Sequence, residues 1–130
     1  MKPRILLIDD EELITRTLAI ALEKAGYDVL VAKRGEDAVV MAEEEEFDLL
    51  VSDIRMPGLN GVETVRKIVD TLKARGASKI PTIFLTGYAD KAIEEQAYEL
   101  SPFAYIYKPF DYIKFMEKVK EAIHSRKNRK

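Results

Sequence analysis

The feature that most constrains this chain is a set of five short, almost uninterrupted apolar runs, each followed by a stretch with helical character. The runs are Arg4–Ile8 (RILLI), Asp28–Ala32 (DVLVA), Asp48–Ser52 (DLLVS), Pro81–Leu85 (PTIFL) and Phe103–Tyr107 (FAYIY). A strand with one wet face alternates apolar and polar residues, whereas a strand covered on both faces does not. The first intervening helix is predicted from Leu13, with Leu13, Thr17, Leu18, Ala21, Leu22 and Ala25 on its inner face and Gly26 as its stop. A third helix starts at Asn60-Gly61, runs through Val62, Val65, Ile68, Val69 and Leu72, and ends at Gly76. The fifth has Asp111 as its N-cap and the stripe Ile113, Met116, Val119, Ile123. Glu36–Glu45 and Asp90–Leu100 supply the second and fourth helices with weaker periodicity.

Strand–helix alternation repeated five times demands a parallel sheet clad on both faces, joined by right-handed crossovers. The expected fold is therefore α/β: one flavodoxin-like doubly wound domain, with strand order 2-1-3-4-5 and five helices. Such folds bind ligands at the carboxyl ends of their strands. No linker, repeat or low-complexity tract interrupts the pattern, so residues 1–124 read as one domain. Residues 125–130 read as a basic C-terminal tail or the start of a linker.

Composition removes several chemistries. The 130 residues include no cysteine, which excludes disulfides, thiolate metal sites and a cysteine nucleophile. The one histidine, His124, supplies neither a histidine metal cage nor a paired catalytic device, and it stands at the terminus without the helical bundle of a relay histidine. With 21 basic and 23 acidic side chains, bulk charge argues against nucleic-acid binding. No apolar run approaches the ~18 residues of a membrane span, and no secretory signal pattern opens the chain, so a cytoplasmic location is expected. The run Glu43–Glu46 reads as a solvated helix end.

The expected strand ends are where charge collects. The first strand runs into Asp9-Asp10, the third ends at Asp53, the fourth at Thr86 and the fifth at Lys108. Taken singly each has an ordinary reading: Asp10 as an N-cap of the first helix, Asp53 as a loop acid, Thr86 as a turn residue, Lys108 as a solvated strand end. Taken together on one rim, three carboxylates at ~5 Å would repel by roughly 3 kcal/mol per pair at an effective dielectric near 20. A cation between them relieves this, and hard oxygen donors suit Mg2+, with Mn2+ or Ca2+ as substitutes. A divalent ion beside an ammonium and a hydroxyl is equipment for a phosphoryl group. The segment Asp9-Asp10-Glu11-Glu12 repels anions, unlike the glycine-rich loops GxGxxG or GxxxxGKS/T, which argues against flavin, dinucleotide and nucleotide sites. Its acids are adjacent, which also departs from the Asp-x-Asp of haloacid-dehalogenase-like phosphatases.

Four segments in order, LLIDDEE (Leu6–Glu12), DIRMPGLNG (Asp53–Gly61), FLTGYA (Phe84–Ala89) and YIYKPF (Tyr105–Phe110), resemble the receiver domain of two-component response regulators, of the chemotaxis-regulator type. The resemblance covers essentially the whole chain. It implies that Asp53 takes a phosphoryl group from a phosphohistidine of a sensor histidine kinase or phosphotransfer protein. Asp10 and Asp53 would ligate Mg2+ directly, Asp9 through water, and the Arg55 backbone carbonyl would complete the set. Lys108 and Thr86 would hold phosphoryl oxygens, and Lys108-Pro109 would be a cis peptide bond. Tyr105 is either a half-buried strand aromatic or a rotameric switch coupled to Thr86. The switching surface implied is helix 4, strand 5 and helix 5, including Ala89–Leu100 and Asp111–Ile123. Arg55 and Tyr88, two residues beyond Asp53 and Thr86, are either solvated loop residues or shields that lengthen the phosphoryl lifetime. Ile14, Pro109 and Phe110 form either a kinase-docking patch or, for Ile14 and Phe110, a core edge and a staple onto helix 5.

The function expected is a regulatory phosphoacceptor, catalysing only its own aspartyl phosphorylation and dephosphorylation and signalling to a downstream partner. A phosphorylation-dependent homodimer through the helix 4–helix 5 face is compatible with this. Two alternatives remain: the receiver portion of a larger transcriptional regulator or hybrid kinase, and an interaction module whose acidic site is unused.

Overall fold

A computed structural model describes residues 2–87 and 90–127. Tyr88, one of the two expected lifetime-tuning residues, lies outside them, as do Ala89 and the last three residues of the expected tail. The chain order is β1 (Arg4–Ile8), α1 (Glu12–Lys24), β2 (Asp28–Ala32), α2 (Gly35–Glu44), β3 (Leu49–Asp53), α3 (Gly61–Ala74), β4 (Thr82–Thr86), α4 (Lys91–Glu99), β5 (Ala104–Tyr107) and α5 (Tyr112–Lys127). All pairings are parallel and the sheet order is β2-β1-β3-β4-β5, as expected from the sequence.

The unbroken apolar runs are explained by two separate cores, one on each face of the sheet. Leu6, Ile8, Leu50 and Phe84 point into a layer with Ala38 and Ala42 of α2, Val62, Val65, Ile68 and Leu72 of α3, and Ala97 of α4. Their strand neighbours Ile5, Leu7, Leu49, Val51, Ile83 and Leu85 pack on Leu18 and Leu22 of α1 and on Phe115, Val119, Ala122 and Ile123 of α5. In the central strands β1, β3 and β4 alternation thus feeds two dry faces, so neither face shows as a polar stripe.

β3 and β4 each begin and end one residue later than the apolar runs suggest. Pro81 has no N–H to give to a ladder, and Asp48 turns its carboxylate back onto the Arg4 N–H at 2.8 Å. The shift makes Asp53 and Thr86 the last residues of their strands.

Two helix faces differ from expectation. Leu13 is 77% exposed and Ile113 is 71% exposed. At 100° per residue, Leu13 lies about 180° from Leu22, and Ile113 about 160° from Phe115. The face that α1 buries is Thr15, Leu18 and Leu22 with Ile14 at its edge, and α5 adds Phe115 and Ala122 to the expected stripe. Glu11, not Asp10, occupies the N-cap of α1, and no side chain caps that helix. Elsewhere the caps form as the residue types suggest. Asn60 and Glu63 make a reciprocal capping box at α3, Asp90 takes the Ile93 N–H, and Asp111 takes the Ile113 N–H at 2.8 Å. Helix α5 runs past residue 124 to Lys127, and Arg126 donates to the Phe47 carbonyl and to Asp48 Oδ1, both at 2.7 Å. The boundary expected at 124 therefore falls inside a helix. Among the described residues no helix is long and apolar enough to cross a membrane.

Candidate functional site

Because β1, β3, β4 and β5 run parallel in adjacent positions, their carboxyl ends share one rim. Ile8 is level with Ser52, Asp53 with Leu85, and Thr86 with Tyr107. The residues that end or follow these strands, Asp9, Asp10, Asp53, Thr86 and Lys108, are brought together as the sequence predicts. Asp9, Asp53 and Thr86 are buried and Asp10 is exposed. One carboxylate oxygen from each of Asp9, Asp10 and Asp53 lies within 4.8 Å of the others, a span that metal–oxygen bonds of about 2.1–2.4 Å can bridge. Among the described residues these three form the cluster able to hold a divalent cation.

Lys108 closes the site from the far side. Its Nζ stands 3.2 Å from Asp9 Oδ2, 3.2 Å from Glu11 Oε1 and 3.5 Å from Asp53 Oδ1, with only 14% of the side chain exposed. Its backbone is fixed by the bond from its N–H to the Thr86 carbonyl at 2.7 Å, and the Lys108-Pro109 bond is cis. The charges shift one another. Burial, then the neighbouring Asp9 carboxylate, pushes Asp53 up from 3.8 to about 6, against the pull of Lys108 and the Ile54 N–H. Burial likewise raises Asp9 although it accepts from the Glu11 N–H and from Lys108. Burial opposes the charge on Lys108, but Asp9, Asp53 and Glu11 together raise it, so the ammonium persists. The site is a desolvated pair of acids held by one cation, able to take a further cation and an anionic group.

The loop after β3 holds Asp53 firmly. Its Oδ1 accepts the Ile54 N–H at 2.9 Å, its carbonyl accepts the Ser52 hydroxyl at 2.9 Å, and the Gly61 N–H returns to the Ile54 carbonyl at 2.7 Å. Gly61 is required by this close approach, since a Cβ there would overlap the Asp53 carbonyl. Sequence reading used Gly61 as a helix start and as the last residue of the DIRMPGLNG segment, and neither use supplied this packing reason for it. Glu11 was also missed as a partner of Lys108, and nothing in the local pattern announces it.

The remaining predicted residues lie around this centre. Arg55 is exposed in the β3–α3 loop. Tyr105 is half-buried, opposite Phe84 in register, stacked on Tyr98 at 5.5 Å and edge-on to Tyr107 at 5.4 Å. Burial, then Glu94, raises its phenol. Ile14 and Phe110 are both half-buried against the α1/α5 layer, Phe110 at 5.3 Å from Phe115, while Pro109 is exposed beside them.

Comparison with known proteins agrees with this geometry. Residues 5–120 match the model of the response regulator receiver domain. The alkaline phosphatase synthesis transcriptional regulatory protein PhoP of Bacillus subtilis is 36% identical over 110 residues, covering 85% of this chain and 44% of that protein. The chain spans less than half the length of the curated relatives it matches first, between 42% and 49%. Among solved structures, a CheY-like receiver domain from Methanospirillum hungatei is 29% identical with a TM-score of 0.91, each chain covered in full. A response regulator from Burkholderia pseudomallei, solved with a phosphorylated aspartic acid and a calcium ion, is 28% identical with a TM-score of 0.77, covering 94% of this chain and 66% of that one. Five parallel strands in this order, the acidic rim and the matched family model have one conclusion: the chain belongs to the response regulator receiver domains of two-component signalling.

Proposed function

We propose that Asp53 is the phosphoacceptor. A carboxylate oxygen of Asp53 attacks the phosphorus of a donor phosphohistidine, the P–N bond breaks as the O–P bond forms, and the imidazole nitrogen keeps the electron pair and takes up a proton from solvent. The observation that carries this reading is Lys108 Nζ set 3.5 Å from Asp53 Oδ1 at the end of β3, with Thr86 ending the next strand. The ammonium and the Thr86 hydroxyl would take charge developing on the transferred oxygens, which is the main requirement of phosphoryl transfer. The carboxyl donors fit Mg2+, or Mn2+ in its place: Asp10 and Asp53 would hold it directly, Asp9 through water, with the Arg55 carbonyl completing the set. Bound there, the ion supplies charge neutralisation at the phosphoryl group. The Burkholderia structure, with its phosphorylated aspartic acid and calcium, supports both assignments by likeness.

The donor is a sensor histidine kinase or phosphotransfer protein, with Ile14, Pro109 and Phe110 at its docking edge. The output is carried by Tyr105 and the α4–β5–α5 face, which binds a downstream partner, an output domain or a second copy once Thr86 turns toward the phosphoryl group. Arg55 and Tyr88 tune its lifetime by limiting water. Self-catalysed hydrolysis and a cytoplasmic location complete the reading. The share of the relatives' length that is matched favours the receiver portion of a larger regulator as the second reading. Against an unused interaction module stand two buried like charges, which a merely structural rim has no reason to keep.

Intact-protein mass spectrometry after incubation with acetyl phosphate tests the assignment. One phosphoryl group should be gained with Mg2+, none with a chelator, and none in Asp53→Asn. Absence of the adduct while Mg2+ measurably binds would return the interaction module to first place.

A further inference from the structure

We infer that Glu11 is a positioning residue for this reaction, occupying a donor of the Lys108 ammonium that the incoming phosphoryl group needs. The inference rests on Asp53 being the phosphoacceptor.

Lys108 has three N–H donors, and in this structure they face Asp9, Glu11 and Asp53. Asp9 is fully buried and fixed, with its second oxygen on the Glu11 N–H at 2.9 Å. Glu11 is different, with 58% of its side chain exposed. Its main chain already has its duties, the N–H on Asp9 and the carbonyl accepting the Thr15 N–H at 3.0 Å as α1 begins. Its carboxylate caps nothing, and instead reaches across 97 residues of sequence to Lys108. A phosphoryl group growing outward from Asp53 needs that donor and meets that charge. Glu11 therefore opposes transfer twice, by occupying Lys108 and by repelling the dianion. Both effects pass through an exposed carboxylate, so they are modest and sensitive to salt.

Glu12 supplies an internal control. It carries the same charge one residue on, but pairs with Arg16 at 3.2 Å and stands 3.9 Å from Lys33, with no contact to Lys108. In the step measured, an Asp53 oxygen attacks the phosphorus of acetyl phosphate, the P–O bond to the acyl group breaks, and acetate leaves with the electron pair.

The experiment compares the rate of acetyl phosphate labelling of wild type, Glu11→Gln and Glu12→Gln with saturating Mg2+, at low salt and at about 0.5 M salt. Glu11→Gln should label about three- to five-fold faster at low salt, an advantage that fades as salt rises, while Glu12→Gln should stay within about 1.5-fold of wild type. A purely structural role at the α1 N-terminus would not produce a gain that salt removes. If Glu11→Gln labels no faster than wild type, or if Glu12→Gln gains as much, the hold on Lys108 is refuted while Asp53 keeps its role. If wild type itself takes no label, the phosphoacceptor reading falls and this inference with it.

Discussion

The two sides of the acidic rim are built to different standards. On one side every residue of β3 is buried, and α3 buries six residues, five of them with side chains, beneath a closed capping box. On the other side α4 buries only Ala97, and no residue of β5 is fully buried. Beyond Ala97 and the half-buried Ile93, what ties α4 down is side-chain contact near the surface. Tyr107 donates to Glu94 at 2.6 Å, Tyr98 stacks on Tyr105, and Arg66 reaches Glu99 at 3.5 Å. Asp53 ends the firm side, while Thr86 and Lys108 stand where the light side begins. A charge placed on Asp53 thus has an immobile base on one hand and an inexpensive element to displace on the other, the arrangement from which switching segments are drawn.

The largest expected effect tests the firm side. In Gly61→Ala the new methyl group would collide with the Asp53 carbonyl, and because that carbonyl is backbone and the methyl is fixed directly to its own Cα, neither can step aside cheaply. Overpacking of this kind should cost about 3 kcal/mol or more. Ile93→Ala, which trims a half-buried residue of α4, should cost only about 1 kcal/mol. Urea denaturation of the two variants side by side checks the contrast, and equal losses would erase it.

The second prediction concerns what the rim itself costs. Asp53 has a folded-state pKa of about 6 against its usual 3.8, so the folded protein binds this proton more tightly than the unfolded chain. Stability from this group is then highest below about pH 4 and falls as pH rises through the window to about 6. At neutral pH the deficit approaches 3 kcal/mol, since each pKa unit is 1.36 kcal/mol. Asp53→Asn should therefore be more stable than wild type at pH 7 in chelator, by about 1–3 kcal/mol, with the advantage shrinking toward pH 4. Millimolar Mg2+ should narrow the gap by binding wild type. Denaturation midpoints from pH 4 to 7.5 decide it; an Asn variant that is weaker at pH 7 would show that Lys108 more than compensates the buried charges.

The same contrast explains what could be read without coordinates. The strands were legible nearly to the residue because β3 and its neighbours are dry on both faces, which forbids alternation. The rim residues were legible because strand ends are fixed by those runs, so Asp9, Asp10, Asp53, Thr86 and Lys108 follow once the sheet order is known. Helix faces were harder. Leu13 and Ile113 are apolar yet solvent-facing, and periodicity by itself cannot tell an inward leucine from an outward one. Contacts between distant residues were not legible at all: Glu11 with Lys108, Arg126 with Phe47 and Asp48, and the approach of Gly61 to Asp53 all depend on how separate elements meet.

The smallest effect sharpens the comparison most. The Tyr107 hydroxyl donates a hydrogen bond to Glu94 that, more than any other cause, pushes the phenol up to about 12, and this bond joins the exposed edge of β5 to the middle of α4. Being at the surface, it should matter little to global unfolding, and Tyr107→Phe should move Tm by less than about 2 °C. Its effect should be local. Amide exchange across Lys91–Glu99 should quicken several-fold in Tyr107→Phe while exchange across Gly61–Ala74 stays unchanged. Glu94→Gln, which keeps an acceptor but removes the charge, should fall between the two. If α4 and α3 quicken together, the rim has one stability and not two, and the division between a fixed base and a displaceable element would have to be abandoned. If α4 alone responds, its resting position is set by a few surface contacts, and the work that a phosphoryl group on Asp53 must do to move it is correspondingly small.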